Sequence, residues 1–134
     1  MKDKLQEYKE NYTDTFELFE KVVYENDFEL FTALIKELDD INIQNKYGWT
    51  LLHICIRRNR AEMVNFLLDN GADINKVDGV GWTPLMESIM DDMPNLCRLL
   101  VDRGADKSIA NARGVTAPML AQKFDRANMF DILS

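Results

Sequence analysis

"KYGWT" (Lys46 to Thr50) and "GVGWT" (Gly79 to Thr83) write the same Gly-Trp-Thr 33 residues apart. The likeness extends well past those three residues. "GWTLLHICIRRNRAEMVNFLLDNGADIN", Gly48 to Asn75, falls without a gap on "GWTPLMESIMDDMPNLCRLLVDRGADKS", Gly81 to Ser108. Leu67-Leu68 meets Leu100-Val101, and Gly71-Ala72-Asp73 meets Gly104-Ala105-Asp106. A further shift brings in "GVTAPMLAQKFDRANMFDILS" from Gly114, with Thr116 and Leu133 in register. A backward shift brings in "EKVVYENDFELFTALIKELDDIN" from Glu20, with Ile41-Asn42 on Ile74-Asn75. A fixed period of this length marks units too small to bury an apolar face alone, which bury it by stacking. The chain is therefore read as a charged N-terminal extension, 1–11, followed by an array over 12–134. Its units are about 12–44, 45–77, 78–110 and 111–134, the first and last irregular.

Each unit reads as helix, tight turn, helix, loop. Thr50 and Thr83 suit the N-cap, where a hydroxyl accepts from a first-turn N–H. Pro84 follows at the first helical position, where a missing N–H costs nothing. The first helix of the second unit is expected from Thr50 to about Arg58, broken at Asn59, with a second from about Ala61 to Asn70. Met63, Val64, Phe66, Leu67 and Leu68 give that second helix a wide apolar stripe. Gly71 and Gly104 fall where a left-handed residue ends a helix, and Pro94 marks a helix entry in the third unit. Cys55, Ser88 and Ala121 form a column of small residues that lets neighbouring helices approach closely. Leu5, Tyr8 and Tyr12 have helical spacing, so the extension either packs on the first unit or frays.

Composition narrows the function. The 134 residues are 46% hydrophobic and 29% charged, ordinary for one soluble domain. No apolar run reaches the length of a membrane span, and the start, "MKDKLQEYKENYT", lacks an apolar signal region. The expected location is the cytoplasm. The net charge is −7, and all of it lies in the first third: residues 1–45 hold 5 lysines against 12 carboxylates, and the remainder is balanced. Nucleic acid and anionic membranes are poor partners for such a chain. The acidic third reads either as a solvated cap or as an attraction for a basic partner. Cys55 and Cys97 lie in apolar periodic segments and read as buried thiols. One histidine and two separated cysteines offer no metal-ligand spacing. No phosphate-cradling loop, no Gly-x-Ser-x-Gly and no acidic pair stands out, so neither an enzyme nor a cofactor is expected.

"TLLHIC" at Thr50–Cys55, "TPLMES" at Thr83–Ser88 and "TAPMLA" at Thr116–Ala121, with the paired Gly-Ala-Asp segments, resemble the ankyrin repeat. The likeness covers about residues 12–134. Leu51 and Ala117 replace its usual proline, Met86 and Met119 its usual histidine, and Leu38-Asp39-Asp40 its first Gly-Ala-Asp. The implied fold class is all-α, an ankyrin-repeat solenoid of stacked helix-turn-helix units joined by hairpin-like loops. The resemblance implies that His53 bridges the backbones of adjacent loops. It also implies that the loops project as fingers and the short first helices line a concave face. The fingertip columns are then Lys46, Tyr47 and Trp49; Gly79, Val80 and Trp82; Ala112, Arg113 and Val115. The concave columns are Tyr24 and Glu25; Arg57 and Arg58; Met90 and Asp91; Lys123 and Phe124. Tyr24, Tyr47, Trp49, Trp82, Met90 and Phe124 would form an apolar band, with Arg57 and Arg58 set in it. Asn75 lies in a context similar to the asparagine-hydroxylation sites of eukaryotic ankyrin repeats, although its column ordinarily holds the loop by hydrogen bonds.

These features imply a non-catalytic module that binds a protein partner through fingertips and concave face. An alternative is also implied, since the short acidic chain resembles small bacterial ankyrin proteins, some of which neutralise a toxin or secreted enzyme, here a basic one. A monomer is expected; pairing of two copies through the apolar band is the other arrangement.

Overall fold

Thr50 and Thr83 start helices as their side chains dictate. In the computed structural model, which describes residues 3–134, each hydroxyl accepts from the backbone N–H three residues on, of His53 and Met86 respectively. Helices α4 (Leu51–Arg57) and α6 (Pro84–Met90) follow, the latter opening on the proline. Thr116 holds the same extended cap backbone ahead of α8 (Ala117–Lys123) but makes no side-chain cap bond. The second helices are α5 (Ala61–Asp69), α7 (Pro94–Asp102) and, after a 3₁₀ turn at Ala127–Met129, a short α9 (Phe130–Leu133). The first pair is α2 (Thr15–Glu25) and α3 (Phe28–Lys36). Capped by Asp14 rather than by a residue in the threonine column, α2 runs to 11 residues where α4, α6 and α8 have 7.

The turn within every pair is made the same way. Asn26, Asn59, Asp92 and Asp125, each 33 residues from the next, all have a left-handed backbone with φ between 53° and 56°. Asn and Asp tolerate that region because their short polar side chains bond locally. Each second helix of the inner units then ends on a left-handed glycine, Gly71 (φ 93°) or Gly104 (φ 94°). Leu38, in the same column of the first unit, does not take that conformation. A Cβ disfavours it, so this loop follows a different path.

The first helices of the pairs, α2, α4, α6 and α8, stack in order, α3 packs on α5, and α7 on α9. Cys55, Ser88 and Ala121 are buried at these contacts. Phe19, Phe31, Ile56, Met63, Leu67, Leu85, Ile89, Leu96 and Leu100 are fully buried along the array, each side chain contributing roughly 1.5–3 kcal/mol. Phe31 and Phe66 meet edge-on across units, centroids 6.4 Å apart. Both cysteines are free and buried.

The described part of the N-terminal extension, residues 3–11, is helical and packed on the array. Helix α1 (Lys4–Asn11), capped by Asp3, lies against α3 with Leu5, Tyr8 and Tyr12 turned to the core. Tyr8 Oη donates to Glu25 at 2.6 Å, and Lys4 and Lys9 pair with Asp27 and Glu37. Of the two options left by the sequence, packing on the first unit is the one adopted.

Polar ties run between units at fixed columns. Asn42 Oδ1 accepts from Asp73 N–H at 2.8 Å, and Asn75 Oδ1 from Asp106 N–H at 2.9 Å, so Asn75 holds the adjacent loop. Arg60 donates to the carbonyls of Val23 and Tyr24, and Arg126 to those of Ile89 and Met90. Met93 occupies the same column between them and has no such donor.

Candidate functional site

The fingers are built on an Asx turn repeated three times. Asn45, Asp78 and Asn111 each accept through Oδ1 from the N–H groups two and four residues on. That folds "NKYG", "DGVG" and "NARG" into tight tips. Adjacent tips are tied by Gly79 N–H to Tyr47 O at 3.0 Å and Ala112 N–H to Val80 O at 3.1 Å. Gln44 Nε2 donates to Gly48 O and Val77 O, joining the same two fingers.

His53 is buried beneath them. Its Nδ1 accepts from Thr50 N–H at 3.1 Å and its Nε2 lies 2.9 Å from Trp82 O. Both contacts are met by one neutral tautomer, with the proton on Nε2. Burial holds the imidazole below its ordinary pKa, against a smaller raising effect of the Trp82 carbonyl. Oγ1 of Thr50, the N-cap of α4, also lies 2.8 Å from Nδ1, and the ring bridges the two fingers.

The two tryptophans share a column but not an environment. Trp49 has the Tyr47 ring at 5.2 Å and the Arg57 guanidinium at 4.2 Å from its centroid. Trp82 has Val80 and Met90 in those same columns, packs against the core and has no such stacking partner among the described residues. Arg58 lies 4.9 Å from the ring of Tyr24, which is 57% exposed; Tyr47 is 55% exposed. Tyr24, Tyr47, Trp49, Arg57 and Arg58 thus come together at one end of the array.

Two adjoining grooves flank this cluster. One, of about 930 Å³, runs between α2 and residues 37–49, lined by Asp14, Glu17, Glu20, Glu37, Asp39 and Asp40 with Tyr47 and Trp49. The other, of about 440 Å³, continues past Glu20 and Val23 to Trp49, Arg57, Arg58 and Asp91. Of the remaining residues expected at the site, Lys46 lines the larger groove, with Nζ 5.1 Å from the Tyr47 ring centroid. Val80 is exposed and Val115 partly buried at their fingers. Arg113 is exposed at the last tip. Met90 is partly buried, its carbonyl taken by Arg126. Lys123 and Phe124 are exposed at the far end, the lysine Nζ 5.8 Å from the ring centroid. Neither groove includes Trp82, Met90 or Phe124, so the aromatic cluster forms at the first two units rather than along the whole array.

An acidic pair does stand out once α6 is folded, contrary to the expectation from sequence. Glu87 and Asp91 lie one turn apart, and Asp91 Oδ2 is buried without a hydrogen-bond partner. Burial first, then the adjoining Asp91 carboxyl and the charge of Asp78, push the Glu87 carboxyl up to about 8; Arg57, 4.0 Å away, opposes the shift. A raised folded pKa means that the fold binds the proton more tightly than the unfolded chain does. The resulting stabilisation is complete below the ordinary carboxylate pKa and is lost as pH rises through about 8. Glu87→Gln, which mimics the protonated acid, is therefore expected to unfold later than wild type at pH 8.5, by roughly 1 kcal/mol after allowance for partial exposure. Denaturant midpoints at pH 4 and 8.5 check this: the difference should close at pH 4, below the ordinary carboxylate value of 4.5.

The sequence marks the first third as acidic and Glu25 as a concave-face residue, but singles out neither Asp14, Glu17 and Glu20 as one wall of a groove, nor the Asx column, nor the bridging arginines. Signals for them exist: Asp14, Glu17 and Glu20 at three-residue steps, and Asx-x-x-Gly at each 33-residue step.

A family model of ankyrin repeats, in three copies, matches residues 19–111. The chain belongs to the ankyrin-repeat family. No curated protein matches it. Ankyrin repeats are in general protein-interaction modules and typically non-catalytic. The helix-only, finger-and-helix architecture of this array is that of the family. Among the described residues of this ankyrin array, no helix is long and apolar enough to cross a membrane, and no group of three or more His, Cys, Asp or Glu could hold a metal ion.

Proposed function

We propose that residues 12–134, in four repeats, act as one binding module for a protein partner, which they grip through the fingertips and the concave helix face. The observation that carries this reading is the aromatic and guanidinium cluster of Tyr24, Tyr47, Trp49, Arg57 and Arg58 beside open grooves. Trp, Tyr and Arg are the residues enriched in binding hot spots. Stacking and capping consume Thr50, His53 and the buried leucines, but place no demand for aromatic rings at these surface columns. Lys46, Val80, Trp82, Arg113 and Val115 at the fingers, and Met90, Asp91, Lys123 and Phe124 on the helices, extend the contact surface. A standard interface needs about 800 Å² per partner, within reach of such a face.

The test is affinity capture from native lysate, followed by titration of the captured protein against variants. Trp49→Ala combined with Trp82→Ala is expected to weaken binding by about 2 kcal/mol, with most of the loss due to Trp49. A combined loss under about 1 kcal/mol removes the tryptophans as anchors.

The acidic first third favours a second reading, in which the chain neutralises a basic toxin or enzyme as an immunity-type inhibitor. Electrostatic steering speeds such encounters and is screened by salt. An association rate indifferent to ionic strength would set this reading aside.

A further inference from the structure

We propose that the groove between α2 and the Lys46–Thr50 finger takes an extended lysine- or arginine-rich segment of a protein partner. This deepens the protein-binding reading above and rests on it.

Both walls of the groove carry the same sign of charge. Asp14, Glu17 and Glu20 descend one side of α2 at successive three-residue steps, and Asp39 and Asp40 stand on the opposite loop. None of these five has an ion pair with a cation of the chain among the described residues; of the lining carboxylates, Glu37 alone does, with Lys9. The single lysine in the lining, Lys46, is turned onto Tyr47. Carboxylates crowded on one helix face repel each other, and a cleft of one sign focuses its field on an incoming opposite charge. The segment that neutralises this cleft is cationic.

Aromatic rings make the second half of the argument. A guanidinium or ammonium over a ring face is attracted by its quadrupole. The chain's own side chains occupy such positions here: Arg57 on Trp49, Lys46 on Tyr47, Arg58 on Tyr24. Tyr47 and Trp49 line the larger groove, Glu20 and Trp49 continue it into the smaller, and Arg58, stacked on Tyr24, lines the smaller. A partner's arginine or lysine would find the same faces, with carboxylates beside them. From Asp14 to Tyr24 the helix spans about 15 Å, which about five residues of extended chain cover. A folded acidic or phosphorylated surface would meet like charge along this whole length.

The experiment uses the full chain and a fluorescent decapeptide of alternating lysine and glycine, with glutamate- and serine-substituted counterparts, read by anisotropy at low salt. The lysine peptide is expected to bind at least about tenfold more tightly than either counterpart. Glu17→Gln, Glu20→Gln and Asp39→Asn together should weaken it about tenfold, as expected for three exposed charge pairs, with the melting temperature held. Glu62→Gln, Asp102→Asn and Asp131→Asn, exposed carboxylates outside the groove, remove the same net charge and should change binding less than twofold. Equal weakening by the two triple variants, no weakening by the groove triple, or no preference for the lysine peptide would each overturn the proposal. A captured partner sensitive to Trp49→Ala but indifferent to the groove triple would keep the protein-binding reading and remove the basic segment.

Discussion

Gly48→Ala is expected to cost the fold about 3–6 kcal/mol, more than any exposed substitution in the array. Three effects add at this position. Its φ is +81°, where an alanine Cβ crowds the carbonyl and costs about 1–2 kcal/mol. A Cβ built there would stand 2.4 Å from Gly79 N and 2.9 Å from the Asp78 carbonyl carbon, both backbone atoms of the next finger. Relief requires the fingers to part, which breaks the 3.0 Å bond from Gly79 N–H to Tyr47 O and the packing around it. Overpacking of this kind costs about 1–3 kcal/mol, and the lost bond about 1. Gly71→Ala is the control. Its φ is +93° but nothing lies within 4 Å of the added carbon, so only the conformational cost of about 1–2 kcal/mol remains. Denaturant unfolding of both variants decides the point. Equal costs would show that the fingers do not approach as closely as described.

His53→Ala should cost about 3 kcal/mol and leave any partner-binding chemistry intact in the protein that remains folded. The side chain is fully buried, and its two ring nitrogens satisfy Thr50 N–H and Trp82 O, groups of two different fingers. Truncation leaves both backbone groups without a partner and opens a cavity; an unsatisfied buried group costs about 1–3 kcal/mol. His53→Met separates the two contributions. The neighbouring repeat already has Met86 in this column, fully buried without a polar bridge, so methionine fills the volume while leaving the polar loss. It should recover about half of the alanine penalty. Acid acts on the same bridge with the opposite sign to Glu87. Because burial lowers the folded pKa of His53, its contribution is present above the unfolded value near 6.5 and is lost as pH falls below it. A second proton would sit on Nδ1, facing Thr50 N–H. If His53→Ala melts with wild type, the bridge is not what joins these fingers.

How far the site could be read beforehand depended on how local each cause was. The left-handed turns at Asn59, Gly71 and Gly104 and the caps at Thr50 and Thr83 follow from single residues and their immediate neighbours. They were legible, and so was the histidine bridge once its column was known. The acidic pair was not. Carboxylates one turn apart are common on helices, and Glu87 differs because packing removes it from water beside Asp91, an effect that Arg57 of α4 only partly opposes. The tryptophans are the sharpest instance. Identical Gly-Trp-Thr segments predict one role for both rings, yet Trp49 stacks with Tyr47 and Arg57 where Trp82 has Val80 and Met90. The column fixes where an indole stands, and the occupants of two other columns fix what it touches.

Sequence alone determined the period, the all-α class, the caps, the turns and the small-residue column, because each unit repeats the same short-range demands and any break in register would leave helix ends and apolar faces unmatched. Tertiary structure alone decided which side chains the proposed recognition surface brings together. Asp14, Glu17 and Glu20 on one helix, Asp39 and Asp40 on a loop, and Tyr47 and Trp49 on a finger line one groove only after the units stack. Charge and ring faces act through space over a few ångströms, and the chain order of those residues carries no record of that distance.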